Sequence, residues 1–337
     1  MLIRCLELAG HRVTVASELR AYLGRPEDVA GWSALQAAAG AEVERIAEIW
    51  AGVAPDLWFC YHPYYKAPDL IGPVLAARYR LAYVTCEASY SARRNIGIWA
   101  EIQARMLDMV KGAALNLCLT ERDRQGLLAA APDAALARFT PFVDVLPFAA
   151  EPGPERGHLL TVAMMRTGDK YESYVRLAAA LALLPHDLVW RLSVAGDGPL
   201  RAEVQALFAG FPAHRIDWLG QMTHDDLARL MARASVYVWP GCGEAYGLAY
   251  LEAQAAGLPV VAQAVAGVPE VVADGITGFL TPSGDDAALA AAVAKLLVDA
   301  PLRHRMAQAA RLRVQDSHAI AGAALRLDQL LQEALRR

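Results

Sequence analysis

Residues 241–262 read GCGEAYGLAYLEAQAAGLPVVA, and this run holds two glutamates eight positions apart with no other charge. A β-branched and aromatic stretch before it predicts a strand that ends at Pro240. A glycine-containing loop then carries Glu244. The pattern predicts a helix from about Tyr246, followed by another strand. This order places Glu244 at the carboxyl edge of a parallel sheet.

The predicted helix is apolar around most of its circumference, yet it carries Glu252. A buried carboxylate without a partner is costly, and the sequence offers no lysine or arginine nearby to neutralise it. Hydroxyl groups of a polyol ligand would satisfy it. The amides of Tyr246, Gly247 and Leu248 form a helix amino terminus, which suits a phosphate. Together these features predict a nucleotide-sugar site.

Composition narrows the possible classes of protein. A length of 337 residues favours two domains, and a hydrophobic content of 55% favours well-packed cores. No charge-free apolar run reaches the roughly 18 residues of a membrane helix, and the first residues lack the features of a signal peptide. Five cysteines are scattered singly, which favours reduced thiols in the cytoplasm. A net charge of -4 without long basic runs argues against nucleic acid as a partner.

Short β-branched or aromatic runs alternate with helical segments along the whole chain, which predicts an α/β protein with parallel sheets wrapped by helices. This alternation of strands and helices is interrupted at residues 149–158, AAEPGPERGH, which we interpret as an interdomain linker. It then resumes, so the sequence predicts two doubly wound domains in series. In such sheets, ligands bind at the carboxyl ends of the strands.

The second half of the chain resembles the retaining glycosyltransferases of family four. The resemblance rests on VAGDGPLRAEVQAL, WLGQMTHDDLARLMARASVYVWP, GEAYGLAYLEAQAAGLPVVA and AGVPEVVADGITGFLTPSGDDAALAAAVAKLL, which follow one another in family order. It implies the GT-B fold, in which two Rossmann-like, doubly wound domains face a cleft. Residues 1–150 would form the acceptor-side domain and residues 151–315 the nucleotide-sugar domain. Residues 316–337 would form a helix that crosses back to the first domain.

The same resemblance implies roles for the paired glutamates. Glu244 would contact hydroxyls of the donor sugar near the reacting carbon, and Glu252 would hold the ribose hydroxyls. The amides of Gly247 and Leu248 would face the diphosphate or the sugar, next to Tyr246. For a glutamate taken at random, an exposed loop acid or a salt-bridged helix residue would be the expected reading. The uncharged surroundings and the matched motif favour the site.

The resemblance also implies cations for the donor diphosphate. Arg166 and Lys170, in VAMMRTGDKY, are the candidates, and they would do the work that a metal does in other transferases. No metal or cofactor is therefore expected. A pair of solvated loop cations is the alternative. Gly196, whose lack of a side chain permits close backbone approach, and Met222 are placed on the donor side.

The first domain departs from the family pattern. Glu87 occupies a position where many relatives have a histidine, and its carboxylate could accept a sugar hydroxyl or stabilise a cationic transition state. His62 could face the same cleft, although a structural histidine is equally consistent with the sequence. Arg93 and Arg94 could grip an acceptor phosphate, or they could be an ordinary exposed basic loop.

The implied activity is transfer of a sugar from a UDP-, GDP- or ADP-sugar, with retention of anomeric configuration, to an unidentified glycan, lipid-linked or small-molecule acceptor. The enzyme would be hexosyltransferase-like and metal-independent, and Glu244 would position the sugar without acting as a nucleophile. The main alternative is a non-catalytic or impaired GT-B protein that binds a nucleotide sugar or a protein partner. A sugar-nucleotide epimerase is a third reading. Oligomeric state and a peripheral membrane contact stay open.

The amino terminus predicts a departure from the usual sheet. MLIRCLELAG predicts a helix that stops at Gly10, and HRVTVAS predicts a strand at residues 13–16. Relatives place a strand and a glycine-containing loop before that helix. We therefore expect an amino-terminally shortened chain that lacks a central strand, folds poorly or is inactive, with roughly 20 to 30 further residues encoded upstream.

Overall fold

The computed structural model describes residues 1–336, which divide into two compact units. Unit 1 comprises Met1–Thr140 together with the residues from Ala323 onward, and unit 2 comprises Pro141–Gly322. The division along the chain therefore falls at Thr140, before the stretch 149–158 that the sequence predicts as a linker. Within unit 2 that stretch is fixed in place, because Glu155 accepts hydrogen bonds from Arg191 and Arg233.

Unit 1 is built on a parallel sheet with strands in the order β1-β2-β3-β4. Strands that are consecutive in the chain are also neighbours in the sheet, so every connection advances in the same direction across it. The strands are β1 Leu57–Tyr61, β2 Ala82–Cys86, β3 Leu115–Cys118 and β4 Leu136–Arg138. The helices are α1 Leu2–Leu8, α2 Val29–Ile49, α3 Gly72–Tyr79, α4 Gly97–Gly112 and α5 Glu121–Ala130. The predicted helix before Gly10 is thus confirmed as α1.

Unit 2 is built on a parallel sheet of six strands in the order β10-β9-β8-β5-β6-β7. The strands are β5 His158–Val162, β6 Arg191–Ala195, β7 Ile216–Gly220, β8 Val236–Val238, β9 Val260–Gln263 and β10 Gly278–Thr281. The helices are α6 Asp169–Ala182, α7 Arg201–Leu207, α8 His224–Arg233, α9 Leu248–Ala255, α10 Val268–Val271, α11 Asp286–Val298, α12 Ala300–Arg313 and α13 Ile320–Leu335, the last of which continues into unit 1. This strand order is that of a doubly wound sheet, and its direction reverses between β5 and β8.

Local sequence explains where the helices of unit 2 begin. The Thr223 hydroxyl accepts a hydrogen bond from the amide of Asp226 and caps α8. Asp285 caps α11 in the same way through the amide of Ala288. Such caps satisfy amide groups that the first helical turn leaves without partners. Of the strands between these helices, β8 and β9 are buried along their whole length.

The predicted strand at residues 13–16 is wrong, because the structure contains no strand between α1 and α2. A strand forms only against a partner that takes up its backbone hydrogen bonds. Here the backbone uses other partners: Arg45 donates to the Ala16 carbonyl at 2.7 Å, and the Leu23 amide donates to the Lys66 carbonyl at 2.8 Å. Strand β1 is accordingly the edge of its sheet.

The buried apolar residues of this chain pack into hydrophobic clusters within each unit. Among residues 1–336, no helix combines the length and the apolar character that a bilayer-spanning segment needs.

Candidate functional site

A cavity of about 600 Å³ lies in unit 2 where the sheet changes direction. Its walls come from the carboxyl ends of β5 and β6, the turn after β7, and the loop that joins β8 to α9. This is the position at which doubly wound sheets bind their ligands. Six residues that the sequence singles out line it: Lys170, Gly196, Met222, Glu244, Gly247 and Leu248.

Lys170 and Glu244 form the charged pair of this cavity. The Lys170 ammonium donates to the Glu244 carboxylate, with 2.5 Å between Nζ and Oε2. Each side chain is 20% exposed, so the pair is shielded from water yet open to the cavity. The ammonium also lies 5.6 Å from the centre of the Trp239 ring, where a cation is attracted by the ring face. The cavity therefore offers a carboxylate that can accept hydrogen bonds and an ammonium cation side by side.

The loop that carries Glu244 is shaped by glycines that pack on Tyr250. Gly247 has φ 76°, and a Cβ at this position would lie 2.4 Å from the Tyr250 ring. Gly241 has φ 73°, and a Cβ there would lie 2.1 Å from the Tyr250 hydroxyl. That hydroxyl donates to the Trp239 carbonyl at 3.0 Å. Only glycine combines the left-handed backbone with this close approach, so the loop holds Glu244 in one place.

Glu252 lies on α9, outside the residues that line the cavity. Its side chain is 14% exposed, and burial raises the pKa of the carboxyl group, while the His224 imidazole acts in the opposite direction. The distance from His224 Nε2 to Glu252 Oε1 is 3.8 Å. Within residues 1–336, His224 is the one cationic group close enough to form an ion pair with it. The buried carboxylate expected from the sequence is thus present, with a histidine beside it.

Other predicted donor residues lie at different depths. Gly196 follows β6 directly, and its amide donates to the Gly220 carbonyl at 2.7 Å, which fixes the turn that borders the cavity. Arg166 is exposed in the connection between β5 and α6, and it does not line the cavity. Tyr246 is partly buried against the core of unit 2 and does not line the cavity either.

In unit 1, His62 and Glu87 directly follow the neighbouring strands β1 and β2. Both have left-handed backbones, with φ 56° and 61°, a conformation that costs energy for residues other than glycine. His62 Nδ1 lies 3.7 Å from Glu87 Oε2, and the Glu87 side chain is 12% exposed. The Glu87 carboxylate raises the pKa of His62, against the lowering effect of burial. The structure thus pairs these two predicted residues.

Arg93 and Arg94 lie on a short 3-10 turn, Ala92–Arg94, and both are exposed. The Arg94 guanidinium carbon lies 5.5 Å from the centre of the Tyr65 ring. Because these arginines and the His62–Glu87 pair follow neighbouring strands of one sheet, unit 1 gathers its candidate residues at the carboxyl ends of its strands.

Several residues in or near the cavity are not predicted from the sequence. Trp239 holds Lys170 by its ring face, Tyr250 supports the glycine loop, and His224 partners Glu252. The contacts of Trp239 and His224 join residues far apart in the chain, and the contact of Tyr250 depends on the fold of the glycine loop, so local patterns do not indicate them.

Comparison with known proteins identifies the fold and the family of this region. The sequence pattern described as "Glycosyl transferases group 1" matches residues 151–313, which include every residue that lines the cavity. Residues 151–313 belong to the glycosyl transferases group 1 family.

Curated relatives align with part of this chain. D-inositol 3-phosphate glycosyltransferase from Salinispora arenicola is 34% identical over 172 residues, which is 47% of this chain and 37% of that protein. Alpha-D-kanosaminyltransferase from Streptomyces kanamyceticus is 31% identical over 155 residues, which is 46% of this chain and 40% of that protein. In each of these relatives the match therefore spans less than half of the protein.

Solved structures resemble the chain over most of its length. Sucrose-phosphate synthase from Thermosynechococcus elongatus superposes with a TM-score of 0.70 at 22% identity, covering 90% of this chain and 80% of that one. The Anabaena protein HepE in complex with UDP-glucose superposes with a TM-score of 0.68 at 16% identity, covering 86% and 82%. The chain, group 1 domain included, therefore has the GT-B fold, with a Rossmann-like sheet in each unit.

Proposed function

We propose that this protein is a retaining glycosyltransferase that moves a sugar from a nucleotide-sugar donor to an acceptor. The observation that carries the proposal is the Lys170–Glu244 pair in the cavity of the group 1 domain. A carboxylate that can accept hydrogen bonds from sugar hydroxyls lies beside an ammonium group that can bind a phosphate. Both occupy the strand ends at which a doubly wound sheet binds nucleotides.

Glu244 and Lys170 would divide the chemistry between them. Glu244 accepts hydrogen bonds from hydroxyls of the donor sugar and fixes the ring near the reacting carbon. Lys170 and the amides of Gly247 and Leu248 face the diphosphate, and they stabilise the negative charge that grows there as the bond to the sugar breaks. In this scheme a lysine and a helix terminus supply the positive charge, so we expect activity without a divalent metal.

Glu252 would bind the ribose of the donor. Its largely buried carboxylate has only the exposed His224 as an ionic partner among residues 1–336, and two ribose hydroxyls would give it the hydrogen bonds that it lacks. The Anabaena HepE structure, which contains UDP-glucose, supports a nucleotide-sugar donor. UDP-, GDP- and ADP-sugars remain the candidates.

Retention would follow from attack on the same face of the sugar from which the diphosphate leaves. Glu244 is paired with Lys170, an arrangement that suits a positioning group and not a free nucleophile. Glu87, paired with His62 in unit 1, would act on the acceptor side by accepting a hydroxyl or by stabilising positive charge. Arg166 receives no role, because it is exposed outside the cavity lining. Five free cysteines suit the reducing cytoplasm as the compartment of the reaction.

The test is turnover of a panel of radiolabelled UDP-, GDP- and ADP-sugars with extracted glycan and lipid acceptors. We expect the wild-type chain to transfer label from one donor class, and Glu244→Gln and Lys170→Met to lose most of this activity. Lys295→Met is the matched control, because Lys295 also lies over an aromatic ring but outside the cavity. Nucleotide binding without transfer or hydrolysis across the panel would contradict the proposal and favour a binding protein.

A further inference from the structure

Two surface segments of unit 1 begin side by side at the carboxyl edge of its sheet. Tyr61 of β1 and Cys86 of β2 are partners in the parallel ladder, so the residues that follow them leave the sheet together. The first segment runs from His62 to Lys66. The second runs from Glu87 to Arg94 and ends just before α4. Each segment therefore carries one member of the His62–Glu87 pair and at least one cation.

One aromatic ring, that of Tyr65, contacts a cation from each of these two segments. Lys66 Nζ lies 5.8 Å from the centre of the Tyr65 ring, and the Arg94 guanidinium carbon lies 5.5 Å from the same centre. Lys66 Nζ also lies 5.2 Å from the Trp99 ring, which packs edge-on against Tyr65 at 4.9 Å. Trp99 is buried, and its indole N–H donates to the Leu23 carbonyl at 3.2 Å. A fixed aromatic pair thus concentrates positive charge.

These cations lack the carboxylates that accompany other basic residues of unit 1. Within residues 1–336, no carboxylate lies within 4.0 Å of the charged groups of Lys66, Arg93 or Arg94. By contrast, Arg78 pairs with Glu44, and Arg105 pairs with Glu101, at 3.0 Å and 2.9 Å. A cluster of cations without counter-charge attracts an anion, and guanidinium groups bind phosphate with particular strength.

The loop that carries the arginines is fixed from below by a buried side chain. Gln103 on α4 has no solvent exposure, and its amide donates to the Ser91 carbonyl and accepts from the Ser91 amide, both at 3.0 Å. It also donates to Asn95. Because Ser91 and Asn95 flank the two arginines, the cationic loop is held before any ligand arrives. Such preorganisation lowers the entropic cost of binding.

We infer that Lys66, Arg93 and Arg94 form an anion site that binds the phosphate group of a phosphorylated acceptor. A phosphomonoester carries a charge of about -1.5 to -2 near neutral pH, more than a single cation can neutralise. Three neighbouring cations match it better than they match a carboxylate. This inference rests on the proposed function for the identity of the ligand as an acceptor, with its hydroxyl directed to His62 and Glu87. A small soluble phosphomonoester and a phospholipid headgroup of the same chemistry are the two sources of such a phosphate, and the experiment distinguishes them.

The test is equilibrium binding by calorimetry to glycerol 3-phosphate, with glucuronate as the carboxylate probe and phosphatidylcholine vesicles with and without phosphatidic acid, whose headgroup is a phosphomonoester. We expect the full chain to prefer glycerol 3-phosphate to glucuronate, or to bind only the vesicles that contain phosphatidic acid, which assigns the phosphate to a lipid. The double variant Lys66→Gln, Arg94→Gln should weaken that binding at least about tenfold, since it removes two hydrogen-bond donors that carry positive charge.

The matched control is Lys111→Gln, Arg80→Gln. Both residues are exposed, and they lie at the end of α4 and after α3, away from the two segments. The control should leave phosphate binding unchanged. Equal affinity in the wild type and in the Lys66→Gln, Arg94→Gln variant, binding to none of the phosphate probes, or a preference for glucuronate would overturn the inference.

The failure of this inference can be told apart from failure of the proposed function. UDP, GDP and ADP binding is measured on the same variants and should not change, because the donor cavity lies in unit 2. Sugar transfer that persists while the double variant binds phosphate normally would overturn the anion site alone. Phosphate binding that depends on Lys66 and Arg94, in a protein that transfers no sugar, would overturn the proposed function alone.

Discussion

At the residue scale, the contact between Lys170 and Glu244 implies a division between binding and turnover. The donor sugar must share the Glu244 carboxylate with Lys170, whose ammonium then also meets the diphosphate. We expect Glu244→Gln to retain most of the nucleotide affinity while kcat falls by about 100-fold, the scale of losing one preorganised group that acts in the transition state. Lys170→Met should lower both affinity and kcat. Equal kinetics in wild type and Glu244→Gln would remove this assignment.

Glu252 leads to a different prediction, because its effect on the stability of the free protein and its proposed role in nucleotide binding can be measured separately. Burial raises the pKa of its carboxyl group, so the ionised side chain destabilises the free protein. Glu252→Ala should therefore leave the melting temperature of the free chain unchanged or higher, while nucleotide affinity falls by about tenfold as a charged hydrogen bond is lost. Thermal shift with and without UDP, GDP and ADP measures both. A variant with a lower melting temperature and unchanged affinity would show a structural role only.

His62 predicts a pH dependence in unit 1. Its pKa is raised above the ordinary 6.5, chiefly by Glu87 and slightly by Asp123. The stabilisation from this pair is fully present below pH 6.5, and it is lost as the pH rises through the raised pKa of the folded state.

Titration of the imidazole by NMR should show a lower His62 pKa in Glu87→Gln than in the wild type. The matched control is Glu101→Gln, which removes a carboxylate paired with Arg105 on α4 and should leave the His62 titration in place. An unchanged His62 pKa in Glu87→Gln would mean that the two side chains do not interact in solution.

At the element scale, the loop between β8 and α9 depends on glycine at a position that can be tested. Gly247→Ala would combine a left-handed φ of 76° with a Cβ placed 2.4 Å from the Tyr250 ring. We expect a loss of about 1 to 3 kcal/mol in the free energy of unfolding and a lower nucleotide affinity, because Glu244 and the amide of Leu248 shift together. Denaturation with urea, followed by tryptophan fluorescence, measures the first effect.

Gly210→Ala is the control for this substitution. Gly210 has no left-handed backbone, and a Cβ there would meet nothing within 4 Å. It should change the free energy of unfolding by no more than about 0.5 kcal/mol. If the two variants unfold at the same urea concentration, the loop is not constrained as described.

The strands illustrate how far the sequence predicts the structure. Runs such as HLLTV and RLSVA become β5 and β6 because their strands are buried and rich in apolar residues. Residues 13–16 have a similar pattern but no neighbouring strand to complete their hydrogen bonds, so they remain irregular. β4 escapes prediction because only three residues, Leu136–Arg138, pair with β3. Strand formation depends on partners that a local pattern does not specify.

The candidate site, too, is only partly predictable from local sequence. Glu244 and Gly247 could be placed from the sequence, because the strand, loop and helix around them are contiguous. The association of Lys170 with Trp239, of Glu252 with His224, and of Lys66 with Arg94 depends on side chains brought together by folding. Local spacing predicts which residues belong to a strand end. It does not predict which of them meet.

At the scale of the whole molecule, the proposed donor site lies in unit 2 and the proposed site for the acceptor phosphate lies in unit 1. Each unit has its candidate residues at the carboxyl ends of a parallel sheet, with Glu244 and Lys170 in one and Glu87 and His62 in the other. The central claim is that the nucleotide sugar binds at the strand ends of β5, β6 and β8.

Hydrogen exchange with mass spectrometry tests that claim most directly, because it locates a ligand on the intact chain without requiring an identified acceptor. The chain is labelled free and with a saturating concentration of whichever of UDP, GDP and ADP raises its melting temperature most. We predict slower exchange in peptides that cover residues 163–171, 196–200 and 241–252, and no change in peptides that cover residues 278–298. Protection confined to unit 1, or no protection from any of the three nucleotides, would contradict the account.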